Sequence, residues 1–453
     1  MKIKRTIKRA LLTIKISILT FFALSCVTST FSFNDIDAAV GQNDYLSAIE
    51  AIEKSLGSYK NYYDEKNEIS FFLDKGLLKY YAGNYEASRE DLQKAEKLMK
   101  DTYLRRNMED IFSYIQNDND REYPGEDYED IYLNIFNALN YHNAGNTKDA
   151  LAEIQKITAP DGKLEMLSKK YDYKDPKTRL SLIDFSRRET GINKMPLTRP
   201  VNFSNSALAR YLGALFYQAQ GNTNAARAEF EQTNRAFALH KNIYKNPIPE
   251  AVQQSLNTPA GNARLNIICF TGLSPVKEET VEIQYLPFQH PVLQIASFKV
   301  PGLVKRPNLI TGIEVIVNGK EKLKLELLED MGSVIEEIFS ARYSNIVLRI
   351  YIRTIIKYAI ADIAAMAANQ NDELAGLLIA LAARGQMEVA DKADIRTSRF
   401  LPDKAYIGGI NLSPGKHTVL INYYSSSAII ASEQREVVVN AGALNLLQTV
   451  NLK

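Results

Sequence analysis

One turn signature recurs through the first half of the chain and constrains its fold more than any other feature. Gly83-Asn84, Gly145-Asn146 and Gly221-Asn222 each follow a small residue seven places earlier: Gly76, Ala138 and Ala214. Another small residue stands five places after each glycine (Ser88, Ala150, Ala226), and a large apolar one four beyond that (Leu92, Ile154, Phe230). A fourth copy has Asn43 in the glycine's place, with Ala48 and Ile52 following. Glycine or asparagine supplies the left-handed backbone that ends a helix. The small residues let two helices approach, and the apolar residue fills the groove between them. The pattern therefore predicts a series of antiparallel helical hairpins, with Gly83, Gly145 and Gly221 as their turn and packing positions. Asn84, Asn146 and Asn222 read as turn residues rather than ligand contacts.

These segments resemble the tetratricopeptide repeat, although their turns at 43, 83, 145 and 221 lie much further apart than the 34 residues of that family. The resemblance implies a concave groove for peptides or proteins, with no chemistry of its own. The extra residues read as a polar, acidic loop over 99–130, around Pro124-Gly125, and as a Pro- and Gly-containing connector over 158–205. The acidic residues of the loop (Glu109, Asp110, Asp118, Asp120, Glu126, Asp127) lack the spacing of a calcium loop.

Residues 262–453 differ in character. Runs rich in β-branched and aromatic residues at 265–270, 280–285, 292–300, 311–317, 322–327, 405–412, 417–424, 433–439 and 443–452 read as strands, separated by turns such as Asn318-Gly319 and Pro414-Gly415. The last four are expected to form a small antiparallel sheet or sandwich. Between the two groups, residues 333–388 read as an inserted helical pair, too interrupted by charge to span a membrane. The fold class expected is therefore α+β: a helical hairpin array over 34–250, then a mixed domain of antiparallel strands over 262–453. Arg349, Arg353 and Lys357 share one helix face. They are either ion-paired, with Asp394 a candidate partner, or a site for an anionic ligand.

Gly272, Pro275 and Lys277 form Gly-x-x-Pro-x-Lys after a strand. Ala393-Asp394-Ile395-Arg396 precedes Leu401-Pro402. With the hairpin at 138–141, these are similar to a family of bacterial envelope lipoproteins that joins a repeat region to such a C-terminal domain. Where that family has Thr, Ser and Trp, this chain has Ile395, Thr397 and Ser398, and it contains no Trp. The resemblance implies an architecture and an address, and makes Gly272, Pro275, Lys277, Asp394 and Arg396 candidate partner-binding residues. Asp394 and Arg396 also suit a charge-assisted pair that fixes the connection between helix and strand.

The first 25 residues read as a secretory signal: six basic residues and no acid, then a short apolar run ending at Ser25-Cys26. Cys26 is the expected lipidation site, although the usual leucine three places before it is Ala23. An ordinary signal peptide is the alternative. Residues 26–33 would then be a tether, and Val27, rather than Asp, after the cysteine favours the outer membrane, at its periplasmic face, over the inner one; a soluble periplasmic protein is the alternative. Setting the leader aside turns a formal charge of +2 into −4, which argues against nucleic-acid binding. The other cysteine, Cys269, lies in an apolar strand and reads as a buried small hydrophobe. None of the four histidines has a ligand partner at metal-binding spacing, and no nucleophile elbow, phosphate loop or dinucleotide fingerprint is present. The expectation is a non-enzymatic, lipid-anchored envelope scaffold without cofactor, metal or small-molecule substrate, which binds envelope proteins through its helical groove. A regulator of peptidoglycan synthesis and an accessory of outer-membrane secretion or fibre assembly are the rival roles, with a novel hydrolase behind them.

Overall fold

The computed structural model describes residues 33–55, 62–106, 117–170, 199–254, 258–285, 288–289, 291–370 and 373–453. Cys26 and the leader, Glu109, Asp110, His290 and most of the connector lie outside the described residues. Helices occupy the N-terminal half and strands the C-terminal half, an α+β chain.

The helices are α1 (Asn34–Gly41), α2 (Tyr45–Ser55), α3 (Glu68–Tyr81), α4 (Tyr85–Arg106), α5 (Asp127–Asn143), α6 (Thr147–Thr158), α7 (Lys163–Lys170), α8 (Ala207–Ala219), α9 (Thr223–Leu239) and α10 (Glu250–Gln254). Helix α4 runs to Arg106, so the first part of the expected polar loop is helical, and α7 stands within the expected connector. The hairpins α3/α4, α5/α6 and α8/α9 turn at Gly83, Gly145 and Gly221, all with φ between 75° and 79°. Asn43, between α1 and α2, adopts φ 60°. Asn146 and Asn222 are N-caps whose side chains accept from Asp149 N and Ala225 N. Gly76 shows why a small residue is needed before the turn. A Cβ there would lie 2.7 Å from the Leu92 side chain, and the Ser88 hydroxyl donates to the Gly76 carbonyl at 2.7 Å.

The strands are β1 (Ala263–Leu273), β2 (Val276–Tyr285), β3 (Ile295–Val304), β4 (Gly312–Val317), β5 (Glu321–Lys324), β6 (Glu326–Asp330), β7 (Pro402–Leu412), β8 (Gly415–Ser425), β9 (Ala428–Val439) and β10 (Asn445–Asn451). Between β6 and β7 stand the long helix α11 (Met331–Asn369) and its partner α12 (Glu373–Ala390). The first sheet has the order β10-β1-β7-β6, the second is the hairpin β2-β3, and the third has the order β5-β4-β8-β9. The last four strands therefore do not make a sheet of their own. β7 and β10 flank β1, whose buried run can be paired on both edges, and β10 lies parallel to it. β8 and β9 join β4 instead.

Alternation along β1 sets the layers. Leu265, Ile267 and Cys269 face the third sheet, against Val315, Val419 and Ile421. Ile268 and Phe270 face the helices and belong to one continuous core with Phe136, Leu139 and Leu212. Helical array, first sheet and third sheet thus stack as successive layers, and the first sheet lies against the array. Phe298, Tyr351 and Tyr358 centre a separate core where α11 meets β3.

Candidate functional site

Residues 392–401, between α12 and β7, form an extended strap laid across the array. No repeating pattern marks it, yet most of it is buried. Side chains of the array bind its backbone. The Tyr62 hydroxyl donates to the Thr397 carbonyl and accepts from the Thr397 N–H, at 2.5 Å each. Glu129 accepts from Ser398 N at 2.5 Å and from the Thr397 hydroxyl at 3.1 Å. Asp74 accepts from the Ser398 hydroxyl at 2.6 Å and from Arg399 N at 2.8 Å. Tyr81 donates to the Phe400 carbonyl at 2.6 Å, and Asn119 to the carbonyls of Lys392 and Ala393 at 3.1 Å. Phe400 and Leu401 enter the shared core.

Both carboxylates are buried, and burial raises them: Asp74 to about 6, and Glu129 to about 7 with help from the neighbouring charge of Glu126. Hydrogen bonds from the strap act the other way on each. Tyr63 and Tyr123 take remaining positions, donating to Asp74 at 2.7 Å and to Glu129 at 2.9 Å. With donors from the strap and from these tyrosines on both carboxylates, the arrangement holds a peptide backbone.

Arg396 locks one end of the strap. It forms a pair with Asp394 at 2.8 and 2.9 Å and donates to the carbonyls of Lys66, Asp118 and Arg121 at 2.7–3.1 Å. Burial pushes the Asp394 carboxyl up, but Arg396 overrides it and holds the group well below the usual range. Lys277, on β2, reaches Glu126 at 2.7 Å with both side chains only 3 % exposed, and Arg342 joins the same carboxylate. Gly272 has φ 62° and packs on Asn308. Pro275 lines a small depression of about 250 Å³ with Arg306, Asp330 and Asp403. Lys277, Asp394 and Arg396 therefore converge on the strap and its socket, and Gly272 and Pro275 border it. Arg349, Arg353 and Lys357 pair with Asp118 and Asp391, at 2.6–3.8 Å, rather than with Asp394.

Tyr62, Asp74, Tyr81 and Glu129, with Tyr128, whose hydroxyl lies 2.8 Å from that of Thr397, are not marked by any sequence motif. A signal existed: Asp74 interrupts the apolar face of α3 between Phe71 and Leu78. A further carboxylate, Glu329, is buried with only neutral donors: Tyr132, Ser206, Leu208 N and Tyr244 at 2.8–3.1 Å. Burial raises it as well. It ties β6 to α5 and α8.

A cleft of about 730 Å³ lies between α4, α5 and α7. Met99, Leu104, Ile131 and Leu167 give it an apolar lining; Lys97 and Lys100 stand among its walls, as do Glu96 and Asp130, while Lys170 pairs with Asp127 at 2.7 Å. Cys269 is buried, and burial raises its thiol. His417 accepts from the Asn318 side-chain amide through Nδ1 at 2.9 Å and donates to the Ser413 carbonyl through Nε2 at 2.8 Å. Among the described residues no group of three or more His, Cys, Asp or Glu is placed to hold a metal ion, and no helix is long and apolar enough to cross a membrane. No family model, curated protein or solved structure matches the chain.

Proposed function

We propose that the chain is a non-enzymatic, lipid-anchored scaffold of the bacterial envelope, whose helical hairpins hold an extended peptide and whose outer surfaces receive partner proteins. The observation that carries this reading is the strap. The inner face of the array binds backbone N–H and C=O groups through side chains, the means by which a protein grips an extended segment irrespective of much of its sequence. Here the segment belongs to the same chain. The cleft between α4, α5 and α7 then offers partners an outer surface, with an apolar lining and with Lys97 and Lys100 at its wall to meet acidic residues on an apolar segment. Anchoring through Cys26 at the periplasmic face of the outer membrane is part of the proposal, resting on the leader.

Two experiments test it. Photo-crosslinking from Leu104 in intact cells is expected to capture one envelope protein reproducibly, and Lys97→Glu with Lys100→Glu to reduce that capture. Capture of nothing, or turnover of an envelope substrate by the purified chain, would overturn the reading. Labelling with radioactive palmitate is expected on the wild type and lost in Cys26→Ala.

A further inference from the structure

Two helical stripes converge on the cleft between α4, α5 and α7. On α4, Lys97, Lys100 and Leu104 stand at i, i+3 and i+7, with Tyr103 beside them. On α7, Lys163, Met166, Leu167 and Lys170 stand at i, i+3, i+4 and i+7. All of them line the same space. Met99, Ile131 and Leu167 form its floor and are at most 5 % exposed. Tyr103 and Leu104 on one rim and Met166 on the other are 53–54 % exposed, so large apolar side chains meet the cleft from both sides.

The walls set the conformation of an occupant. An extended segment carries N–H and C=O groups that need partners once covered. The strap finds them in Tyr62, Asp74 and Glu129. The carboxylates lining the cleft are instead spent on neighbouring cations. Lys163 holds Asp130 and Glu96 at 2.6 and 3.2 Å, Lys170 holds Asp127 at 2.7 Å, and Lys277 and Arg342 hold Glu126. The helical walls keep their own backbone groups in intrahelical bonds. A helix satisfies its backbone internally and presents only side chains, which is what such walls can receive. Between Gln93 and Leu104 α4 rises about 16 Å, enough for about three turns laid against it. Lys97 and Lys100 are exposed, and among the described residues neither has a carboxylate partner. They stand about 4.5 Å apart along the axis, which matches carboxylates at i and i+3 or i+4 of a helix beside them.

We propose that the cleft receives one amphipathic helix of a partner protein, with an apolar stripe at i, i+3, i+4 and i+7 and two carboxylates one turn apart along its edge. The proposal rests on the reading of this cleft as a docking surface and names the form of the segment that docks.

The test uses the purified full-length chain and two fluorescein-labelled peptides of about 15 residues, alike in composition and rich in Leu, Ala and Glu. In the first, leucines follow the helical spacing with glutamates one turn apart beside them. In the second, leucines alternate with the other residues. Fluorescence anisotropy is expected to show the helical pattern binding at least about tenfold more tightly than the alternating one. Lys97→Glu with Lys100→Glu is expected to weaken that binding at least about tenfold, because like charges would then face each other, with the far-UV circular dichroism of the chain unchanged. Equal binding of the two peptides, binding that survives both glutamates, or no binding of the helical pattern would each overturn the inference, as would dodecyl phosphate binding at Lys97 and Lys100 where the helical peptide does not. If it fails while Leu104 still captures an envelope protein in cells, the cleft docks a segment of another form. Loss of that capture removes the docking reading itself.

Discussion

Asp74 and Glu129 bind the strap from positions that solvent does not reach, and their ionisation therefore couples to folding. Unfolded, both titrate near pH 4. Folded, they rise to about 6 and about 7. Between those limits the native state keeps protons that the unfolded chain has released, so stability falls as pH rises through the window. The penalty is absent below about pH 4 and complete above about pH 7, on the order of 3 kcal/mol for each carboxyl. Asp74→Asn removes one of them. Its deficit relative to wild type is predicted to shrink from pH 5 to pH 8, measured as the difference in Tm. A deficit that grows would contradict the assignment. Arg396 makes a different prediction. Its fork reaches Asp394 and three backbone carbonyls, and a lysine cannot reproduce that geometry. Arg396→Lys is predicted to lose about 2–4 kcal/mol in denaturant unfolding, as for a broken buried ionic network. A loss within 0.5 kcal/mol would contradict it.

Among the elements, the hairpins should behave as local units. Gly145 has φ 75°, which an alanine adopts at a cost of about 1 kcal/mol and an asparagine at less. Gly145→Ala is predicted to be less stable than Gly145→Asn, and both less stable than wild type, by equilibrium unfolding. The open space around that Cβ leaves no steric term to reverse the order. This locality is also why the hairpins were legible in the sequence: the residue that bends the backbone and the residues that pack across it lie within sixteen positions of one another. The strap was not legible. Its bonds join Thr397 to Tyr62 and Ser398 to Glu129, contacts between segments hundreds of residues apart in a stretch with no period. Asp394 and Arg396 stood out as a charged pair, but the carbonyls that Arg396 holds could not be named from side-chain identities. The strand runs were legible as strands, while their pairing was not. Nothing within 445–451 says that it lies parallel to β1.

In the whole molecule, the hairpin array and the first sheet share one core, with Phe136 in contact with Phe270 at 5.1 Å between ring centroids. Glu329 and the strap add polar ties between the same two layers. The molecule is therefore expected to unfold without the array and the first sheet separating, and Phe270→Ala to destabilise both by about 3–5 kcal/mol. Circular dichroism of the helices and near-UV signals of the core tyrosines should report coincident midpoints. Native-state hydrogen exchange at the amides of Thr397, Ser398 and Arg399 tests most directly the claim that the array grips its own strap. These N–H groups donate to Tyr62, Glu129 and Asp74. They are predicted to exchange as slowly as the core amides of β1, through the same global opening. Exchange at the rate of exposed coil, while β1 stays protected, would contradict it.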